Sequence, residues 1–234
     1  MKINHICVIG LGYIGLPTAS TFANHGIKVT GVDNNPEVIE SLSAGRVHIF
    51  EPGLGEVVQK AVKTNMLSIS KVPVQADVFI IAVPTPFKED KKADLSFVCS
   101  AAASIVPVLK PGNLVVLEST SPPLTTRDQV LPILEQSGLK GGEDFLLAYS
   151  PERVLPGQIL KELVENARVI GGIDQASAEA GRDLYKTFVK GEIIITDATT
   201  SEMVKLMENT YRDVNIAIAN EFSRLEDRFG VDVW

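Results

Sequence analysis

The chain has 234 residues, 45% hydrophobic and 22% charged, and 22 lysines and arginines against 29 aspartates and glutamates give a net charge of −7. Such a composition suits a globular core and excludes fibrous and disordered classes, while the acidic balance argues against nucleic-acid or anionic-membrane binding. No apolar run approaches the ~20 residues of a membrane span, no leader is expected because Gly10, Gly12 and Gly15 interrupt the first apolar stretch, and two cysteines, Cys7 and Cys99, make no disulfide framework and point to a cytoplasmic protein.

Residues 3–9 form an apolar, β-branched run that reads as a buried strand. A glycine-rich turn follows, then a helical pattern from Ile14 to about Asn24, closed by Gly26. Ile27–Val32 reads as a second strand ending at Asp33. Pro36–Leu42 and Leu54–Val62 read as helices, and Val78–Val83 as the clearest strand of the chain. Phe97–Leu109 is expected to be helical, Leu114–Leu117 a strand, Thr126–Gln136 a helix and Phe145–Tyr149 a strand. This alternation predicts an α/β fold with a doubly wound parallel sheet over residues 1–150. A looser stretch over 151–198, with a short helix and strands near Arg168–Ile170 and Glu192–Thr196, predicts a smaller α/β extension. Residues 199–234 begin with a long amphipathic helix from Thr199 to about Phe229, which suits a connecting or self-associating element. Gly230–Val233 reads as the start of a further element.

Gly10-Leu11-Gly12-Tyr13-Ile14-Gly15 is a G-x-G-x-x-G run between a predicted strand and a predicted helix. The first glycine makes the tight turn, the second lets a pyrophosphate approach the main chain, and the third lets helix pack on strand. The amino end of the helix then favours the phosphates. Asp33 ends the second strand, where a carboxylate can accept the ribose hydroxyls of an adenosine. Asn34 and Asn35 follow it with no arginine beside them to hold a 2′-phosphate, so the expected cofactor is NAD rather than NADP. Pro84-Thr85-Pro86 and Glu118-Ser119-Thr120 follow the next two central strands, the edge where ligands bind in such sheets, and each reads equally well as a rigid turn.

The run Gly10–Pro17, the Pro84-Thr85-Pro86 turn and Glu118-Ser119-Thr120 resemble the nucleotide-sugar 6-dehydrogenases, the family of UDP-glucose, GDP-mannose and UDP-N-acetylhexosamine enzymes. Ser150–Gly157, Arg168–Gly172 and Lys205–Asn215 continue the resemblance over nearly the whole chain. Pro-Glu-Arg-Val-Leu-Pro-Gly and Asn-Thr-Tyr-Arg-Asp-Val-Asn are most similar to the UDP-N-acetyl-D-mannosamine dehydrogenases; Arg153-Val154 and Pro156 depart from the UDP-glucose pattern. The resemblance implies oxidation of a sugar C6 alcohol to a carboxylate, with two NAD reduced, for polysaccharide biosynthesis. It implies that Lys205 moves a proton and stabilises the substrate oxygen, that Asn209 holds that oxygen or a water, and that Glu152 serves the water that hydrolyses a thioester. It places Arg153, Val154, Lys205, Asn209 and Arg212 against the UDP-sugar, and Tyr13, Ile14, Asp33, Thr85 and Thr120, with Gly10, Gly12 and Gly15, against the cofactor. The length of the last helix, rather than the resemblance, is the ground for expecting a homodimer formed through it.

The family's nucleophilic cysteine stands in a glycine-rich segment that neither Cys7 nor Cys99 matches. The expectation is therefore an amino-terminal portion that binds NAD without completing the oxidation. Three other readings stay open on the residues alone. Lys205, Asn209 and Arg212, four and seven residues apart, also suit the solvated face of a helix. A Lys-x-x-x-Asn pair also occurs in β-hydroxyacid dehydrogenases, and a non-catalytic NAD-binding or dimerisation module needs none of these side chains. His5, His25 and His48 have no ligand spacing, so no metal site is expected.

Overall fold

The computed structural model describes residues 2–232; Val233 and Trp234, and with them the end of the reading at Gly230–Val233, lie outside the described residues. The elements run β1 (His5–Ile9), α1 (Gly15–Asn24), β2 (Lys28–Val32), α2 (Pro36–Ser43), α3 (Leu54–Lys63), β3 (Leu67–Ser70), β4 (Val78–Ile81), α4 (Ser96–Ile105), β5 (Leu114–Leu117), α5 (Leu131–Leu134), β6 (Leu146–Tyr149), α6 (Ile159–Glu165), β7 (Arg168–Gly172), α7 (Gln175–Tyr185), β8 (Ile193–Asp197) and α8 (Ala198–Phe229). All eight strands share one sheet in the order β3-β2-β1-β4-β5-β6-β7-β8. The first six pair in parallel, and the reversal of strand order beside β1 opens the crevice where such sheets bind ligands.

Strand alternation sends Ile6 and Val8 to one face and Cys7 and Ile9 to the other, all buried. On the first face α1, α3, α6 and α7 contribute Leu16, Phe22, Leu54, Val58, Leu163 and Leu184; on the second α4 and α5 contribute Val98, Ile105 and Leu134. Two covered faces explain why the central strands read as continuous apolar runs.

The structure departs from the expected elements in four places. Residues 67–70 form an edge strand, β3, paired with β2, and 175–185 form α7; neither was expected. Gly181 lets α7 lie against the sheet, because a Cβ there would stand 2.8 Å from Ile170 Cγ2. The Thr126–Gln136 segment opens as a π turn over Thr126–Val130 before α5. Pro132 has no N–H to give the carbonyl of Asp128, and the preceding bond runs from Leu131 N–H to Thr126 O. Finally, the sheet is not parallel throughout: β7 runs antiparallel to β6 and carries β8 parallel to itself, so residues 168–197 extend the same sheet with reversed polarity.

Candidate functional site

At the end of β1 the Gly10 N–H donates to Val32 O (2.8 Å) and the chain turns with Gly10 at φ +92°. A Cβ on Gly10 would stand 2.5 Å from Ala82 O, and one on Gly15 would stand 1.8 Å from Gly10 O, so both positions need the bare backbone. Over Gly12 the space is open, with nothing within 4 Å of where its Cβ would be. α1 starts without a side-chain cap and without an acidic residue in its first turn; the Leu16 N–H already bonds Gly12 O (3.1 Å) and Pro17 has none, so what the positive helix end offers an anion is the main chain of the Gly12–Gly15 turn.

Asp33 holds the turn from the neighbouring strand end. Its Oδ2 accepts the Leu11 N–H (3.0 Å) and its Oδ1 the Asn35 N–H (2.9 Å). A carboxylate offers about four lone-pair sites, so about two are left for a ribose diol. A cleft of about 660 Å³ lies between Gly10–Ile14, Val32–Asn35 and Ala82–Pro84, a volume in the usual range for small-molecule sites. The open cradle over Gly12, the uncapped helix end and the half-engaged Asp33 together fit a dinucleotide.

The two threonines expected at the cofactor face each other. Thr85 Oγ1 donates to Thr120 O (2.7 Å), and Ser119 Oγ donates to Val83 O (2.7 Å), tying the turns after β4 and β5 into one ledge. Val83 and Pro84 line the cleft beside that ledge.

A second cluster sits at the β5–β6–β7 end of the same sheet. Glu152, 6% exposed, follows β6; its Oε2 takes a bond from Arg168 Nη2 and its Oε1 the Arg153 N–H (2.7 Å). Arg168 opens β7, 2% exposed, with Nη1 donating to Ser150 Oγ (3.3 Å) and standing 3.8 Å from Glu118 Oε1. The Tyr185 hydroxyl donates to the same Glu118 oxygen (2.5 Å), and Arg168 lies over the Tyr185 ring at 4.3 Å.

Lys205, in the first third of α8, is 8% exposed and donates from Nζ to the main-chain oxygen of Glu152. Burial holds its pKa below the ordinary lysine value; the charges of Glu152 and Glu208 oppose that shift, and those of Arg212 and Arg153 add to it. Arg153 binds Glu208 through Nη2 and Ala167 O through Nη1 (3.3 Å). Asn209 is half-buried one turn beyond Lys205, and Arg212 is exposed in a groove with Glu208, Tyr211 and Asn215. A solvated helix face therefore describes Arg212 but not Lys205, because α8 leaves the sheet between them. Val154 is half-buried in the loop that carries Glu152.

That loop is clamped at its far end. Glu51 accepts the Gly157 N–H at Oε2 and the Ile159 N–H at Oε1 (both 2.8 Å), Glu162 accepts the Leu155 N–H (2.7 Å), and Asn166 Nδ2 donates to Arg153 O (2.8 Å). Glu51, Glu118, Arg168, Tyr185 and Glu208 were not among the expected site residues. Their local signs are Glu118, placed in the Glu118-Ser119-Thr120 turn after a central strand, and Arg168, a charged residue opening an otherwise apolar strand.

Residues 4–189 match the UDP-glucose/GDP-mannose dehydrogenase family, NAD binding domain, and residues 199–234 match that family's central domain. The UDP-N-acetyl-D-mannosamine dehydrogenase of Methanococcus maripaludis is 54% identical over 99% of this chain and 53% of its own length. The solved UDP-N-acetyl-mannosamine dehydrogenase of Staphylococcus aureus superposes with a TM-score of 0.91 at 52% identity, over 98% of this chain and 56% of that one. The Pyrococcus horikoshii UDP-D-ManNAc dehydrogenase superposes with a TM-score of 0.94 at 47% identity, over 98% and 55%. The chain thus spans about half the length of the curated relatives it matches. Its cofactor is NAD. With glycine turn, strand order and both matches in agreement, this chain belongs to the UDP-glucose/GDP-mannose dehydrogenase family.

Proposed function

We propose that this chain serves the NAD-dependent oxidation of the C6 alcohol of a UDP-N-acetylhexosamine, UDP-N-acetyl-D-mannosamine, to its uronate, for polysaccharide biosynthesis. The observation that carries the reading is Lys205: a buried ammonium with a lowered pKa, bonded to the main chain of Glu152 at the ligand edge of a dinucleotide-binding sheet. The uronate lies four electrons above the alcohol, and NAD, when bound, supplies the hydride acceptor. Lys205 holds the substrate oxygen and exchanges its proton, a transfer that the lowering of its pKa by burial eases. Asn209, one helical turn on, holds the same oxygen or a water. The Glu152 carboxylate, anchored by Arg168, activates the water that becomes the second carboxyl oxygen. Arg153, Val154 and Arg212 line the sugar nucleotide, with the arginine forks suited to its diphosphate. Gly10, Gly12, Tyr13, Ile14 and Gly15 would hold the NAD pyrophosphate and Asp33 its ribose, and Thr85 and Thr120 would contact the same cofactor.

In this reading residues 1–150 bind the cofactor, 151–198 extend its sheet toward the substrate, and 199–234 join two copies. The exposed stripe Tyr211, Val214, Ile218, Phe222 and Leu225 recurs at three- and four-residue spacing along α8 and suits a homodimer seam. Among the described residues no helix is long and apolar enough to cross a membrane, and both cysteines are free, which suits an enzyme working in the cytoplasm.

The test is reduction of NAD by the protein at the full length of its relatives, with UDP-N-acetyl-D-mannosamine and UDP-glucose offered separately. Two NAD reduced per UDP-N-acetyl-D-mannosamine, with Lys205→Met slowing turnover by about 100-fold or more, is expected. Equal use of UDP-glucose refutes the substrate, and an undiminished Lys205→Met rate refutes the mechanism.

A further inference from the structure

Glu118 directly follows β5, fully enclosed, 2% exposed, and no step above uses it. Three elements close on its carboxylate. Thr18 Oγ1 donates from α1 (3.4 Å), Tyr185 OH from α7 (2.5 Å), and the Arg168 guanidinium approaches from β7 (3.8 Å). From the loop after β6, the Glu152 carboxylate binds the other terminal nitrogen of the same guanidinium, and Ser150 Oγ accepts from Nη1. The Tyr185 ring under the guanidinium, 4.3 Å from its centre, favours this position of Arg168.

Charge does not balance in this enclosure. Two carboxylates share one guanidinium, while the Lys205 ammonium is engaged with the Glu152 main chain rather than with either carboxylate. We infer that Glu118 is a positioning residue for Glu152, acting through the shared Arg168: the charge on Glu118 sets how firmly the guanidinium holds the Glu152 carboxylate. With Glu118 neutral, Arg168 faces a single anion and holds Glu152 closely. With Glu118 ionised, the guanidinium is drawn between two anions and its grip on Glu152 slackens. Burial pushes the Glu118 carboxyl up to about 7; Arg168 pulls it down, Glu152 pushes it up, and the Tyr185 and Thr18 hydrogen bonds pull it down. The change of state therefore falls in the working range of a neutral enzyme. Its bearing on turnover rests on the role of Glu152 proposed above; the coupling itself does not.

The coupling is measured without turnover, by carbon NMR of this chain labelled at the glutamate carboxyls. Glu118→Gln and Glu152→Gln each delete one resonance and so assign the pair. The expected result is a Glu118 resonance titrating with its midpoint near 7, and a Glu152 resonance with a step at the same pH that vanishes in Glu118→Gln. Tyr185→Phe, which removes a donor to the ionised form, moves both steps upward together by about one pH unit. This variant decides the matter if Glu118→Gln does not fold. A Glu152 resonance that stays flat while Glu118 titrates, or keeps its step in Glu118→Gln, or fails to follow Glu118 in Tyr185→Phe, overturns the inference. In the active enzyme, Glu118→Gln removes the limb of the kcat profile near that pH and leaves KM for NAD unchanged. Absence of any turnover in the parent counts against the proposed function, and the NMR outcome still decides the role of Glu118.

Discussion

Around Gly10–Gly15 what the sheet edge presents is main chain: an open turn, an uncapped helix end, and one aspartate that grips two backbone N–H groups. Around Glu152 it is side chain: two glutamates, an arginine, a lysine and a tyrosine, buried and bonded to one another or to the main chain. The first region is shaped by what is missing, Cβ atoms, and is left exposed. The second is shaped by charges largely withdrawn from solvent, so its members depend on each other for stability. The glycine turn can therefore be altered at Gly12 without unfolding the protein, whereas removing the cation that the buried carboxylates share disturbs the fold.

The largest effect should come from Arg168. Arg168→Met leaves Glu118 and Glu152 buried without their cation and should lower unfolding free energy by about 3–5 kcal/mol in urea titrations. A loss below about 1 kcal/mol would mean that the cluster is not the packed charge network described.

The glycines sharpen the contrast from the other side. Gly15→Ala forces a Cβ against the Gly10 carbonyl and should cost about 1–3 kcal/mol of stability together with NAD binding. Gly12→Ala meets no protein atom, so its melting temperature should match the parent while calorimetry shows NAD bound about 10-fold or more weakly. Equal effects of the two substitutions on stability would contradict the open cradle.

A smaller effect is expected at Glu51, which holds the Gly157 and Ile159 N–H groups at the start of α6. Glu51→Gln keeps one acceptor oxygen and loses the charge, for about 1 kcal/mol. Limited proteolysis should then cut residues 153–158 faster than in the parent; an unchanged rate would show that the clamp does not order the Glu152 loop.

Much of the first half was legible because its signals are local. Val78–Ile81 is apolar on both faces since both faces are covered, and Asp197 caps α8 through the Thr200 N–H, close to the expected start. α7 escaped notice because its buried positions include Ser177, Ala178 and Gly181, small residues with little hydrophobic contrast, chosen for close approach to β6 and β7. β3 is four residues long, with serines at alternate positions, so its run was too short to register. The antiparallel entry of β7 left no mark at all, because strand polarity depends on the path of the intervening loop and helix rather than on the strand's own residues.

By itself the chain determined the glycine turn after β1, since glycine spacing and a strand-end acid act over a few residues and constrain the backbone directly. It also determined that Lys205, Asn209 and Arg212 share a helix face. Only the tertiary structure decided that Lys205 is buried and Arg212 is not, because that depends on where α8 leaves the sheet. Only it joined Thr18 to Glu118 across 100 positions and Tyr185 to Glu118 across 67. A charge's partner is set by which distant strands and helices come together, and no local pattern carries that information.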